Sequence, residues 1–170
     1  MIKHLSVVLL LFFINASGLF AQKTPEELGE NTFRYFRNNN LDSFFLLIPT
    51  MGELSTFSKS IGIDSNAQAY KEFVERYPLV INHFKNECMV IYSDSDKLGF
   101  SWVDAVLEKV VATTKELSAD KSYPGIKPPV ITIINIYFLA GNKKLRLQLG
   151  DANKYNEIWK PGNNIKLTVE

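Results

Sequence analysis

The plainest pattern in the chain lies in its C-terminal part. VITIINIYFL at Val130–Leu139 is a run of β-branched and aromatic residues, LRLQL at Leu145–Leu149 alternates apolar with polar, and Ile165, Leu167 and Val169 alternate again. A period of two sends successive side chains to opposite faces of a pleated strand, so these segments read as strands. Ala140-Gly141-Asn142-Lys143, Asn156-Glu157 and Pro161-Gly162-Asn163-Asn164 punctuate them with turn residues. Connections this short join antiparallel neighbours, which predicts a meander. Gly150-Asp151, between LRLQL and the turn into Trp159, reads as a bend or bulge, because glycine inside a strand often marks one. A catalytic corner is the competing reading.

The first half follows a different period. Thr24, Pro25 and Glu27 bring together an N-cap, a proline at the first helical position and the far end of a capping box. Leu28, Thr32, Phe33 and Phe36 continue as one face of a helix, and Asn38-Asn39-Asn40 breaks it. A second short helix fits Leu41–Ile48, stopped by Pro49. Thr50 and Glu53 repeat the capping-box spacing before a third helix to about Ser60, and Gly62 ends it. Ser65 and Gln68 repeat it once more before a long stripe of Phe73, Tyr77, Val80/Ile81, Phe84, Cys88 and Ile91. Those three- and four-residue steps predict a helix over 66–94, kinked at Pro78.

Ala105–Leu117 is ambiguous. Trp102, Val103, Val106, Leu107, Val110 and Val111 recur at helical spacing, yet valine and threonine favour a pleated surface. The strand at Val130–Leu139 raises a second question, because its two faces are almost equally apolar. Either the chain covers both, or one face meets a second copy in a homodimer through the sheet. Helices first and strands afterwards give an α+β fold, N-terminal helices packed on an antiparallel β-sheet.

The N-terminus changes the picture of where this fold works. Lys3 is followed by an apolar run from Leu5 to Ile14, interrupted by Ser6, and small residues appear up to Ala21. That order is a secretory signal peptide over residues 1–21, cut after Ala21, leaving 22–170 as a single domain. The run is shorter than the roughly 20 residues a bilayer span needs, although an uncleaved anchor is the alternative. No cysteine lies near the cut, so the exported protein is periplasmic or extracellular and not lipid-anchored. Without Lys3 the 19 basic residues become 18, against 18 acidic ones. Such a balance offers no field to draw nucleic acid or an anionic membrane surface. Cys88 is the only cysteine, which leaves packing rather than a disulfide to hold the domain.

Candidate chemistry is sparse. His83 and Glu87 stand one helical turn apart with Cys88 beside them, the spacing of two metal ligands or of a base and its orienter. A metal site needs further ligands, and no HExxH or CxxC supplies them, so no metal and no cofactor is expected. Cys88 falls on the apolar stripe and reads as a buried small hydrophobe. GxSxG, GxGxxG and GxxxxGK[ST] are absent. Tyr137, Tyr155, Asp104 and Asp151 are the tyrosines and carboxylates available for acid–base work, with no spacing that pairs them.

YFRNNNLDSFFLLIP, Gly99-Phe100-Ser101-Trp102, Leu147-Gln148-Leu149-Gly150-Asp151 and Tyr155-Asn156-Glu157-Ile158-Trp159 together carry a resemblance. In this order they resemble cystatin-like, nuclear-transport-factor-2-like domains of small exported bacterial proteins, across essentially the whole mature chain. The resemblance implies a strongly curved, cone-shaped antiparallel sheet wrapped around helices, and it favours strand for Ala105–Leu117. Glu157, at a turn position where glycine is expected, and the broad Pro161–Asn164 connection depart from the pattern. Such folds host ketosteroid-isomerase-like enzymes, dehydratases, carriers and interaction modules, so the fold leaves function open. With no catalytic constellation, the leading expectation is a non-catalytic module that binds a small apolar ligand or a protein partner. The alternative is a cofactor-free pocket enzyme of isomerase or dehydratase type, using an acid and a tyrosine donor inside the cone.

Overall fold

Local signals set where the helices begin. Thr24 accepts a hydrogen bond from the Glu27 amide while the Glu27 carboxylate accepts from the Thr24 amide, and α1 runs Pro25–Arg37 behind this box. Asn40 caps the short α2, Leu41–Phe45. Thr50 and Glu53 form the second box ahead of α3, Met51–Ser60. These features appear in the computed structural model of the chain, which describes residues 22–64, 66, 68–116 and 130–170. Residues 1–21, which the sequence pattern reads as a signal peptide, Ser65 of the third capping box, and Leu117 with the connection to Pro129 lie outside the described residues. The long helix α4 is Gln68–Ser93, and Pro78 sits inside it without ending it.

Five antiparallel strands follow: β1 Val106–Glu116, β2 Val130–Ala140, β3 Lys143–Tyr155, β4 Ile158–Lys160 and β5 Asn164–Val169. The ambiguous Val/Thr segment is therefore a strand, and the molecule is an α+β fold whose sheet is not closed into a barrel. The meander holds through β4, then stops. β5 pairs with β3 from Gly150 to Leu145, not with β4, so β4 and β5 share one edge of β3 at its two ends. Asn156 and Glu157 both have positive φ, 48° and 69°, in the two-residue turn between β3 and β4. That is the mirror-image turn whose twist matches a hairpin, and it explains why glycine is expected where Glu157 stands.

Helix α1 lies across β1 and β2. Gly29 makes that approach close: a Cβ there would stand 2.5 Å from Val110 Cγ1 and 2.9 Å from Ile134 Cγ2. Leu28, Phe33 and Phe36 from α1 meet Ile134, Ile136 and Phe138 from β2 and Leu145, Leu147 and Leu149 from β3 in one buried cluster. Phe44 from α2, Phe84 and Cys88 from α4, and Phe100 and Trp102 from the loop before β1 fill it. The Trp102 ring lies 4.9 Å from Phe36 and 5.1 Å from Phe138. The body between helices and sheet is thus packed with aromatic side chains.

The two faces of β2 behave differently. Even positions from Thr132 to Ala140 are buried, whereas Ile131, Ile133, Asn135, Tyr137 and Leu139 are half-exposed. That outer face is mixed rather than a continuous apolar surface. Asn135 accepts from the Gln148 amide at 2.9 Å, Tyr137 lies under Lys109, and Arg146 pairs with Glu170 at 3.0 Å.

Candidate functional site

The bend in β3 builds a region where polar side chains meet apolar walls. Leu149 faces Ile134 and Ala152 faces Thr132, so β3 carries one more residue than β2 across this step. Asp151 absorbs it with φ 55°, a left-handed conformation that Asp tolerates better than most residues. Before the bulge β3 pairs with β5, and beyond it Asn153, Lys154 and Tyr155 pair with β4. Gly150-Asp151 is a bend, as the strand pattern predicts, and the bend sets the direction of everything after it.

Past the bulge, Asp151, Asn153 and Tyr155 form one wall of a cleft of about 180 Å³, with Pro161 and Gly162 beside them. Leu54 of α3 and Phe73, Tyr77, Val80 and Ile81 of α4 form the other wall, below Pro49. A second hollow of about 410 Å³ continues from it between α3 and the start of α4, and the two share Leu54, Phe73 and Tyr155. Phe73 stands 39% exposed at the mouth.

Three phenols line this space, Tyr77 and Tyr155 in the cleft and Tyr70 with Tyr155 in the second hollow. Tyr155 is buried and packs on Phe57 with ring centroids 5.2 Å apart. Burial, then the proximity of Tyr77 and Glu53, pushes its hydroxyl up to about 12. The Tyr77 hydroxyl donates to the Pro49 carbonyl, and burial followed by the Glu53 charge pushes it up to about 12 as well. Both therefore stay protonated and act as hydrogen-bond donors rather than bases. Glu53 is the charge beneath them. Burial alone would raise its carboxyl, but the Lys160 ammonium and the Thr50 donors outweigh burial and hold it below the ordinary value. The Lys160 Nζ lies 2.7 Å from Glu53 Oε1 and 2.9 Å from Oε2, tying the first turn of α3 to β4.

The structure brings together two of the residues singled out for acid–base chemistry and separates the rest. Tyr155 and Asp151 line the same cleft. Tyr137 lies on the outer sheet face with Lys109 Nζ 4.9 Å from its ring centroid. Asp104 is exposed in the turn before β1. His83 is exposed and 3.3 Å from Glu87, while Cys88 is fully buried in the core. Among the described residues, no group of three or more His, Cys, Asp or Glu side chains is placed to hold a metal ion. Sequence reasoning missed Tyr77, which periodicity assigns to the core stripe, and Glu53 and Lys160, whose pairing no local spacing reveals.

Burial also pushes the Cys88 thiol up to about 12, helped by the Glu87 charge. Cys88, Tyr77 and Tyr155 all have native pKa values above their ordinary 9.0 to 10.0, so the native state keeps protons that the unfolded chain releases first. Stability contributed by these neutral groups is complete below pH 9 and is lost as pH rises from 9 toward 12. Denaturant midpoints measured across that window should fall, and Cys88 should resist alkylation at pH 8 until the protein is unfolded. Rapid labelling of the native thiol would show that Cys88 is not in the core.

Compared with family models, curated proteins and solved structures, the chain matches none.

Proposed function

We propose that this is an exported binding protein that holds a small, largely apolar ligand between α3, α4 and the bent end of β3. One observation carries the reading. Two adjoining hollows of about 180 and 410 Å³ are walled by Pro49, Leu54, Phe73, Val80 and Ile81 and share a single buried phenol, Tyr155. Together they fall in the range of roughly 300–1,000 Å³ usual for ligand sites, which are apolar with a few placed polar groups. Tyr155 supplies a donor for one oxygen of the ligand, and Phe73 at the mouth supplies the contact that closes over its apolar part. The order of helices before a bent antiparallel sheet supports a relationship to cystatin-like domains, in which a cavity at the end of the sheet is a recurring feature.

Binding of anilinonaphthalene sulfonate, followed by its fluorescence, tests this directly. Phe73→Asp should weaken probe binding at least tenfold, and Tyr155→Phe should weaken it by up to about tenfold, the worth of one hydrogen bond. Native mass spectrometry of the exported protein should show a co-purified small molecule. Wild-type probe affinity in Phe73→Asp, with nothing bound in native spectra, would rule the cleft out.

A second reading rests on Asp151 and Tyr155 lining the same cleft. A carboxylate and a protonated phenol suit proton abstraction beside a carbonyl whose oxygen the phenol holds, the chemistry of a cofactor-free isomerase or dehydratase. Asp151→Asn keeps a residue that tolerates the left-handed backbone, so it removes the base without removing the bulge. Turnover of an enolisable ketone that this substitution abolishes, with probe binding unchanged, would assign the protein to the enzymes.

A further inference from the structure

We propose that the exported protein begins with a pyroglutamate formed from Gln22, and that the fold is built to bury this cyclised end. The proposal rests on export with cleavage after Ala21, which makes Gln22 the first residue. In the full chain Gln22 is fully buried, and among the described residues neither its side-chain nitrogen nor its side-chain oxygen has a hydrogen-bond partner. Its carbonyl oxygen accepts from the Trp159 amide at 2.7 Å, so β4 pins the residue in place. Its surroundings are Leu46, Leu47 and Ile158, with the stem of Lys160 closing a cavity of about 240 Å³.

An uncyclised Gln22 is a poor occupant of that position. A primary amide brings two donors and an acceptor, and leaving them unpaired inside the protein is costly. Cleavage adds a second burden, an α-ammonium group on a residue packed among apolar side chains, where a charge loses water. Cyclisation removes the charge and one of the unpaired donors. The neutral α-amine attacks the side-chain Cδ, a new N–Cδ bond forms, the Cδ–Nε2 bond breaks, and the nitrogen leaves as ammonia with the proton taken from the amine. No oxidant, reductant or co-reactant is consumed. The product keeps one lactam N–H and one lactam carbonyl, carries no charge, and retains the backbone carbonyl that Trp159 binds.

The test uses the full chain exported from a bacterial host with its own leader. The first peptide should begin at position 22 and be lighter by one ammonia than a chain with a free glutamine. Pyroglutamyl aminopeptidase should remove that residue slowly from the native protein and quickly after denaturation, because the end is buried. A chain that keeps its leader would overturn the export reading together with this one, and a chain cut at another position would overturn this proposal alone. A chain beginning at Gln22 with an intact amine, or a native end that the peptidase removes as fast as a denatured one, would overturn this proposal alone.

Discussion

Phe138→Ala should lower the unfolding free energy by about 3–5 kcal/mol, among the largest losses of any single substitution in the chain. Phe138 is fully buried on the inner face of β2. Its ring centroid stands 5.5 Å from Phe33, 5.1 Å from Trp102 and 6.1 Å from Phe100. It therefore joins α1, the loop before β1 and the sheet. Removing it deletes apolar contact area and leaves a cavity whose walls, three large aromatics on α1 and on the loop before β1, cannot all close inward. Urea unfolding followed by tryptophan fluorescence measures this, since Trp102 reports on the same cluster. The midpoint should fall with an unchanged slope. A loss below about 1 kcal/mol would mean that the aromatic cluster collapses around the gap and does not key the helices to the sheet.

The residues that made this core legible in the sequence are those whose signals are local. Thr24 with Glu27 and Thr50 with Glu53 sit at the spacing a capping box requires, and the helices begin where those pairs stand. Alternation in LRLQL identifies Leu145, Leu147 and Leu149 as the buried face, and all three are buried. Val106–Glu116 is harder because its valines satisfy both periods. Pairing with β2 along nearly its whole length decides for strand, and that is a property of β2 as much as of β1.

What stayed hidden depends on contacts between distant parts of the chain. The partner of β5 is set by the bulge in β3: at Gly150 the strand stops pairing with β5 and afterwards turns to β4, so a short connection does not make neighbours of β4 and β5. Glu53 reads completely as a helix cap, and its second role facing Lys160 spans 107 positions of sequence. Tyr77 fits the apolar stripe of α4, and only its hydroxyl on the Pro49 carbonyl distinguishes a cleft wall from a core residue. The outer face of β2 shows the reverse error of scale. Its own residues suggest an apolar surface, but Arg146 and Gln148 from the neighbouring strand make the face mixed.

The cleft itself depends most on a residue with no side chain. Gly162, in the connection between β4 and β5, sits directly over the β3 bulge, and a Cβ there would lie 2.6 Å from the carbonyl oxygens of both Gly150 and Asp151. Both oxygens are main-chain atoms, and Gly150 is paired with Asn164 of β5, so neither can swing away as the end of a flexible side chain would. Gly162→Ala must therefore push the connection off the bulge. The displacement acts on the cleft wall that Asp151, Pro161 and Gly162 share. We expect a loss of about 1–3 kcal/mol in stability, the usual cost of overpacking, together with at least a tenfold loss of probe binding. Gly52→Ala is the matched control, because the only atom near its added Cβ is Thr50 Oγ1 at 3.9 Å, on α3 and outside the cleft. It should be neutral or slightly stabilising, since alanine favours the helix. Equal stability and equal probe affinity in both variants would show that the connection moves freely over the bulge. The shape of the cleft would then be set by α3 and α4 alone.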